Sequence, residues 1–296
     1  MERAARMQSG RSVFAQLMDQ VPDHDFRKCV RRYAGNYRVR RFSCFDQFLC
    51  MAFGQLTYRE SLRDTVTCLR AVQSKLYHVG IRGSISRSTL ADANEKRDWR
   101  IYEDFAATLI ATARRLHSGD SFGVDLDQTA YVFDSTTIDL CLSLFPWAPF
   151  RKAKAAVKLH TLMDLKGSIP CSVWVSDGKT PDRVGLDELT YEPGSFYILD
   201  RGYIDFARLY TIAQSSAFFV IRAWKNLDYS RRKSRTTEKS TGLRSDQTII
   251  LRGPKSSKLY PDPMRRVTFY DTERQVRYVF LTNNFTLDPL VIAQLY

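Results

Sequence analysis

Two aspartates in this 296-residue chain lie within, or directly after, a sequence pattern that predicts a β-strand. Asp134 lies inside an alternating, β-rich run over residues 131–138, although aspartate is depleted in strands. Asp200 follows four apolar, strand-favouring residues and precedes a glycine turn and an amphipathic helix pattern over residues 206–213. This order predicts that Asp200 lies at the carboxyl end of a strand, where open α/β sheets form their sites.

Paired carboxylates on neighbouring strands predict a metal site. A carboxylate half-buried among β-branched side chains costs free energy unless a partner compensates its charge. Mg²⁺ or Mn²⁺, which prefer hard oxygen ligands, could be shared by Asp134 and Asp200. Two such ions about 4 Å apart would activate a water or a 3′-hydroxyl and stabilise the leaving oxygen of a displacement at phosphorus.

Structural interpretations of the same residues stay open. Asp200 could be a turn residue that accepts hydrogen bonds from its own backbone. Asp134 could be a solvent-facing acid on the polar side of a sheet. Other acids lie at predicted strand ends or turns and compete for the role: Asp125, Asp127, Asp139, Asp164 and Asp177.

The bulk composition predicts a polyanionic partner. The formal net charge is +13 and the isoelectric point is about 9.5, which indicates nucleic acid or an acidic membrane. No apolar run reaches the length of a membrane span, and residues 1–6 lack an apolar signal core, so we expect a cytoplasmic protein that binds nucleic acid. The six cysteines show no C-x-x-C spacing, which predicts buried reduced thiols.

Two basic segments are candidate phosphate-contacting surfaces. Residues 27–41 hold seven Arg or Lys and no acid, and they include Arg31 and Arg32. Residues 225–266 hold twelve Arg or Lys against four acids and include Arg231, Arg232 and Lys233. The alternatives are a solvated helix face for the first segment and a disordered loop at residues 231–246 for the second.

The N-terminal part shows helical periodicity. Two helices are predicted within residues 12–37, followed by a helix over residues 45–56 that Ser43 would cap. Thr57 is predicted to begin a capping box for the next helix, and Ser88 or Thr89 to cap a later one. The result would be an all-α N-terminal domain.

After residue 120 the periodicity changes from helical to alternating. Three strands are predicted at residues 131–138, 156–165 and 169–175, with a hairpin at Gly167 between the last two. A short helix, the Asp200 strand, a helix and a strand at residues 218–221 follow. This is the element order of a ribonuclease-H-like mixed sheet, although composition does not separate it from other α/β layouts.

Several motifs resemble the insertion-sequence 4 family of bacterial transposases. They are Asp-Ser-Thr-Thr-Ile-Asp from Asp134 within residues 131–146, Val-Lys-Leu-His-Thr-Leu from Val157 with Asp-Gly-Lys from Asp177, and Ile-Leu-Asp-Arg-Gly-Tyr from Ile198. Residues 42–48 and 56–62 resemble the helical domain that often precedes that core. The resemblance implies a ribonuclease-H-like fold with a β insertion and a D-D-E triad that binds two Mg²⁺, whose aspartates fall on Asp134 and Asp200.

The resemblance also implies the partners. They are double-stranded DNA, as transposon ends and target, and a second copy in a homodimer on DNA, with action at the bacterial nucleoid in the cytoplasm. Tyr296 matches the tyrosine of the family's last motif and would contact DNA. The family's glutamate would follow Tyr296, and the helix predicted from Asp288 and Pro289 stops early, so we expect a truncated transposase that binds DNA without cleaving it.

The predicted organisation has five parts. They are a helical N-terminal domain (1–80) for DNA binding or assembly, a helical connector (81–120), a catalytic core (121–224), a basic β-rich insertion (225–285) and the start of the last helix (286–296). Two other functions stay open: a non-catalytic DNA-binding remnant or inhibitor of an intact transposase, and a metal-dependent nuclease of ribonuclease-H-like fold.

Overall fold

The computed structural model describes residues 11–81, 83–140, 149–151 and 154–296, and the chain divides into two compact units, Met1–Leu109 and Ile110–Tyr296. Residues 1–6, Cys141 and residues 142–146 of the first resemblance motif lie outside the described residues. Among the helices that are described, none combines the length and the apolar character needed to cross a membrane.

The first unit is helical, as predicted. Its helices are α1 (Val13–Met18), α2 (Asp23–Arg32), α3 (Cys44–Leu56), α4 (Leu62–Ala71), α5 (Gln73–Leu76) and α6 (Arg87–Lys96), and α7 (Arg100–Leu116) continues into the second unit. Ser43 caps α3 as predicted, because its side chain and that of Asp46 form a reciprocal capping box. Cys29, Cys44 and Cys50 are buried, while Cys68 is partly exposed.

Two predicted helix caps were wrong. The N-cap of α4 is Ser61, whose hydroxyl accepts from the Asp64 amide at 3.1 Å. Thr57 instead ends α3 and donates its hydroxyl to the Phe53 carbonyl. The N-cap of α6 is Ser86, ahead of the predicted Ser88 and Thr89. Neighbouring hydroxyls have similar capping preference, so the helix start depends on where the chain turns.

The second unit is a mixed sheet with helices. Its strands are β1 (Ala130–Leu140), β2 (Pro149–Arg151), β3 (Lys154–Asp164), β4 (Ile169–Asp177), β5 (Phe196–Leu199), β6 (Phe218–Arg222), β7 (Tyr229–Arg235), β8 (Leu243–Leu251), β9 (Met264–Asp271) and β10 (Val276–Thr282). Helix α8 (Phe206–Gln214) joins β5 to β6, α9 (Ser256–Leu259) precedes β9, and α10 (Pro289–Gln294) follows β10. The predicted mixed α/β architecture behind a helical N-terminal region is confirmed.

The strand order places β1 between β3 and β5. From one side the order is β2, β3, β1, β5, β6, β10, β9, β8 and β7, and β4 pairs with β3. Strand β1 is antiparallel to β3 and parallel to β5, and β5 is parallel to β6. Gly167 turns the chain between β3 and β4 with φ of 77°, a left-handed conformation that glycine adopts without strain.

The basic segment extends this same sheet. Strands β7, β8 and β9 pair antiparallel with one another, and β9 pairs with β10. Residues 231–246, for which a disordered loop was the alternative, run through the end of β7 and the start of β8. Strand β7 is left as one edge of the sheet.

Two apolar clusters cover opposite faces of the sheet. On one face Phe133 and Leu199 pack with Leu209 of α8. On the other, Val132 and Ile198 pack with Ile292 of α10. We call these the α8 face and the α10 face.

Candidate active site

Asp134 lies on β1, and Asp200 directly follows the adjacent parallel strand β5. The last paired residues of β1 and β5 are Phe133 and Leu199, so the two aspartates come next in register. Neighbouring strands lie about 5 Å apart. Because side chains alternate along a strand and Val132 lies on the α10 face, both carboxylates belong to that face, at the carboxyl end of β5.

The Asp134 carboxylate is exposed and has a local donor. Its Oδ1 accepts from the backbone amide of Ser135 at 2.8 Å. Across the sheet Asp134 is paired with Thr161 of β3. Within the described residues no lysine or arginine forms an ion pair with Asp134 or Asp200, so their charges are available to a cation.

Asp200 is engaged by a turn and by a distant tyrosine. It is the N-cap of the turn Arg201–Tyr203, and its Oδ2 accepts from the Gly202 amide at 3.4 Å. The Tyr296 hydroxyl donates to Oδ1 at 2.7 Å. Partial burial would by itself raise the pKa of Asp200, but the hydrogen bonds from Tyr296 and from the Arg201 and Gly202 amides outweigh it and lower that pKa below its ordinary value.

Tyr296 is held over the end of the sheet by aromatic packing. Its ring lies 5.2 Å from the Phe280 ring and 6.3 Å from that of Tyr278, centroid to centroid. Burial and the hydrogen bond to Asp200 raise the pKa of Tyr296 to about 12, so it is a donor at neutral pH. The side chain is still 40% exposed.

Arg222 is a site residue that the sequence reasoning missed. Leu199 pairs with Ile221, so Arg222 follows on β6 in register with Asp200. Its guanidinium lies 5.1 Å from the centre of the Tyr278 ring. The sequence does contain a signal for Arg222. The predicted strand over residues 218–221 is directly followed by an arginine, as the one over residues 196–199 is directly followed by an aspartate.

The two carboxylates fit one hard divalent cation. Each offers oxygen lone pairs beyond those used by its hydrogen bonds. Within the described residues no group of three or more His, Cys, Asp or Glu side chains is placed to hold a metal. Carboxylate oxygens are the hard ligands that Mg²⁺ or Mn²⁺ prefers, and water or substrate oxygens would complete the shell.

Two of the other acids that competed for the role have structural partners, and a third lies on the other face of the sheet. Asp164 is buried and pairs with Arg114, with 3.2 Å between Oδ2 and Nε. Asp177 accepts from the amides of Lys179 and Thr180, both at 2.8 Å. Asp139 also lies on β1, five residues after Asp134. Because side chains alternate along a strand, this odd spacing puts Asp139 on the opposite face.

The predicted DNA-contacting residues differ in their surroundings. Arg31 is exposed at the end of α2, whereas Arg32 forms an ion pair with Asp104. Arg231, Arg232 and Lys233 are all exposed on the edge strand β7, at a bulge between Arg231 and Lys233. The edge therefore presents three cations close together.

Comparisons with known proteins find similarity in both parts of the chain. Residues 125–296 match the family described as Transposase DDE domain, and residues 9–82 match a domain of unknown function, DUF4372. Over 170 residues the chain is 31% identical to the probable transposase for insertion sequence element IS5377 of Geobacillus stearothermophilus. That match covers 56% of this chain and 43% of the relative, so the chain spans less than half of the relative's length.

Two solved structures show weaker likeness. The piggyBac transposase synaptic complex with hairpin DNA has 11% identity and a TM-score of 0.42, covering 96% of this chain and 64% of that one. Endonuclease V from Bacillus subtilis has 11% identity and a TM-score of 0.26, covering 68% of this chain and 82% of that one. Both scores are too low to bear on function.

Proposed function

The chain belongs to the Transposase DDE domain family, and we propose that it is a DNA transposase that binds transposon-end DNA and, with a divalent metal, hydrolyses and transfers phosphodiester strands. The observation that carries this proposal is that Asp134 and Asp200 each directly follow the last paired residues, Phe133 and Leu199, of the parallel strands β1 and β5. We further assign a ribonuclease-H-like fold, supported by three antiparallel strands followed by two parallel ones. Membership of the insertion-sequence 4 family is part of the proposal and rests on the sequence motifs.

Asp134 and Asp200 would hold the metal, Mg²⁺ or Mn²⁺, between their carboxylates. When bound, the ion activates a water or a 3′-hydroxyl and stabilises the leaving oxygen at phosphorus. The chain's own contribution is to keep Asp200 ionised and to hold both carboxylates on one face of the sheet by local hydrogen bonds. For Asp200 the donors are Tyr296 and the backbone turn, and for Asp134 the donor is the Ser135 amide.

Arg222 would bind a phosphate of the DNA beside the acids. Its guanidinium stands in the same row as Asp134 and Asp200, on the α10 face. A guanidinium binds phosphate oxygens through charge-assisted, often bidentate hydrogen bonds. The aromatic ring of Tyr278 supports it from one side.

Double-stranded DNA would be held by the basic surfaces. Arg231, Arg232 and Lys233 supply contacts from the sheet edge, and Arg31 supplies one from the helical unit. Arg32 would have to exchange its ion pair with Asp104 for a phosphate, and Tyr296, which is partly exposed, would contact DNA. We propose action as a homodimer on DNA at the bacterial nucleoid.

Metal binding is the first test of the site. Mn²⁺ titration followed by electron paramagnetic resonance should show a bound ion in the wild type. Asp134→Asn and Asp200→Asn should each weaken binding by at least tenfold, because each removes a charged ligand. Asp139→Asn, on the same strand but the opposite face, is the matched control and should bind like the wild type. Equal affinity in all four proteins would exclude this pair as the metal site.

A DNA-binding protein without cleavage activity is the second candidate. It is supported by the absence, among the described residues, of a group of three His, Cys, Asp or Glu side chains that could hold a metal. A supercoiled plasmid that carries the genomic DNA flanking the gene separates the two candidates. Mg²⁺-dependent nicking that disappears in Asp200→Asn supports the transposase, whereas binding without nicking supports the second candidate.

A further inference from the structure

We propose that Asp182 is a positioning residue that holds Asp134 in its metal-binding orientation by acting through Ser135. This inference rests on the proposed function, because it assumes that Asp134 binds the metal. Asp182 lies outside the acids of the candidate site, at the start of the 3₁₀ helix Asp182–Glu188 that follows β4.

Ser135 connects the two acids through its two donors. Its backbone amide donates to Oδ1 of Asp134 at 2.8 Å, and its hydroxyl donates to Oδ1 of Asp182 at 2.8 Å. Since side chains alternate along β1, the Asp134 carboxylate lies on the α10 face and the Ser135 hydroxyl on the α8 face. The contact with Asp182 therefore restrains β1 from the α8 face and leaves the α10 face, where the metal would bind, untouched.

Asp182 is itself held in place by a largely buried lysine. Lys158 of β3 lies with its Nζ 2.8 Å from Oδ1 of Asp182, and it also donates to the Thr180 carbonyl at 2.7 Å. The Lys158 side chain is only 13% exposed. A buried ammonium needs its charge partner, so loss of Asp182 would leave an uncompensated cation and release the Ser135 hydroxyl.

The α8 face of β1 also contacts the segment that follows Asp200. Tyr203, three residues after Asp200, donates its backbone amide to the Asp200 carbonyl at 3.0 Å. Its ring packs edge-on against Phe133, the residue before Asp134, with centroids 5.1 Å apart. Contacts on the α8 face therefore connect the backbone near Asp134 with the backbone near Asp200. Through Ser135, Asp182 can fix the position of the Asp134 backbone.

The helix Asp182–Glu188 offers a matched control in Asp187. Asp187 is also ion-paired, through Oδ2 to Nη2 of Arg208 at 2.6 Å, but Arg208 belongs to α8 and the pair does not involve Ser135. Asp182→Asn and Asp187→Asn therefore remove the same charge from the same short helix. They differ in whether the pair connects to the Asp134 strand.

Mn²⁺ affinity, measured by paramagnetic resonance on the 296-residue chain, tests the proposal. Outer partners of metal ligands typically contribute tenfold to a hundredfold in affinity. Asp182→Asn should weaken Mn²⁺ binding about tenfold, while Asp187→Asn should stay within about twofold of the wild type. Thermal melts of both variants then show whether Asp182→Asn is less stable than Asp187→Asn, so that a loss of metal affinity can be separated from a loss of folding.

Ser135 variants decide the case if Asp182→Asn fails to fold. Ser135→Ala removes the hydroxyl and should weaken Mn²⁺ binding, whereas Ser135→Thr keeps a hydroxyl on the strand and should restore it. Wild-type affinity in Ser135→Ala, or equal affinity in the Asp182 and Asp187 variants, would overturn the positioning role. Absence of Mn²⁺ binding in the wild type, or full binding in Asp134→Asn, would instead overturn the proposed function.

Discussion

Tyr296 donates its phenolic hydrogen to Oδ1 of Asp200 at 2.7 Å, across 96 residues of sequence. The bond joins the segment after α10 to the carboxyl end of β5. It also lowers the pKa of the acid against the opposing effect of partial burial.

Tyr296→Phe should raise the pKa of Asp200, because the carboxylate loses a donor that stabilises its charged form. The titration of ¹³C-labelled aspartate carboxyls by nuclear magnetic resonance measures this directly. Tyr278→Phe is the control, since Tyr278 packs on the Tyr296 ring without bonding to Asp200. An unchanged Asp200 titration in Tyr296→Phe would contradict the assigned role of the hydrogen bond.

DNA binding should depend strongly on salt. For about six to ten phosphate contacts, the affinity should fall by roughly three to five decades between about 50 and 200 mM salt. Reversing the charges of Arg231, Arg232 and Lys233 should lower the affinity equally for all sequences and reduce the salt slope, since phosphate contacts carry no base information.

The control for the edge strand is an equal change of charge elsewhere in the unit. Arg252, Lys255 and Lys258 are exposed and lie between β8 and β9. Fluorescence anisotropy should show a larger loss for the β7 variant than for this one. Equal losses would mean that net charge, rather than the edge strand, determines binding.

Stability should fall as the pH drops from about 7.5 to 5, because of His160. The side chain is fully buried, its ring lies nearly parallel to those of Phe133 and Trp174, and burial lowers its pKa. The unfolded chain therefore binds a proton more readily than the folded one. The stabilisation is present above the unfolded pKa of about 6.5 and is lost as the pH falls towards the folded pKa, at up to about 1.4 kcal/mol per pH unit.

Urea unfolding at several pH values in wild type and His160→Gln measures this effect. The variant should be less stable at pH 7.5 and should lose less stability on acidification. His24→Gln, which changes an exposed histidine of the helical unit, should keep the wild-type dependence. If His160→Gln keeps that dependence as well, the acid sensitivity has another source.

Asp246→Ala should destabilise the second unit by about 3–5 kcal/mol, because it leaves a buried arginine without its partner. Arg265 and Asp246 are 3% and 2% exposed, with 2.8 Å between Nη2 and Oδ2. Arg265 also donates to the Leu287 carbonyl at 2.6 Å, just before α10. Hydrogen exchange should therefore increase at residues 284–290 as well.

The exposed pair of Asp92 and Lys96 is the control for Asp246→Ala. An isolated surface ion pair contributes less than about 1 kcal/mol, so Asp92→Ala should have a small effect in urea unfolding. A similar small effect for Asp246→Ala would show that the buried pair is replaceable.

Local sequence patterns determined most elements of this protein and the position of each acid along its strand. Alternation around Asp134, the apolar run before Asp200 and the Asp288 cap with Pro289 all depend on residues within a few positions, where backbone preference and side-chain period act. The caps Ser61 and Ser86 were missed because several nearby hydroxyls could serve and only the path of the chain selects one.

Tertiary structure alone decided which residues meet. The register that brings Asp134 beside Asp200, and Arg222 next to Asp200, comes from strand pairing between distant segments. The hydrogen bonds from Tyr296 to Asp200 and from Ser135 to Asp182 likewise depend on how the sheet and its flanking segments pack. A one-residue change of register would turn every side chain of a strand to the other face, so long-range packing rather than local propensity assembles the candidate site.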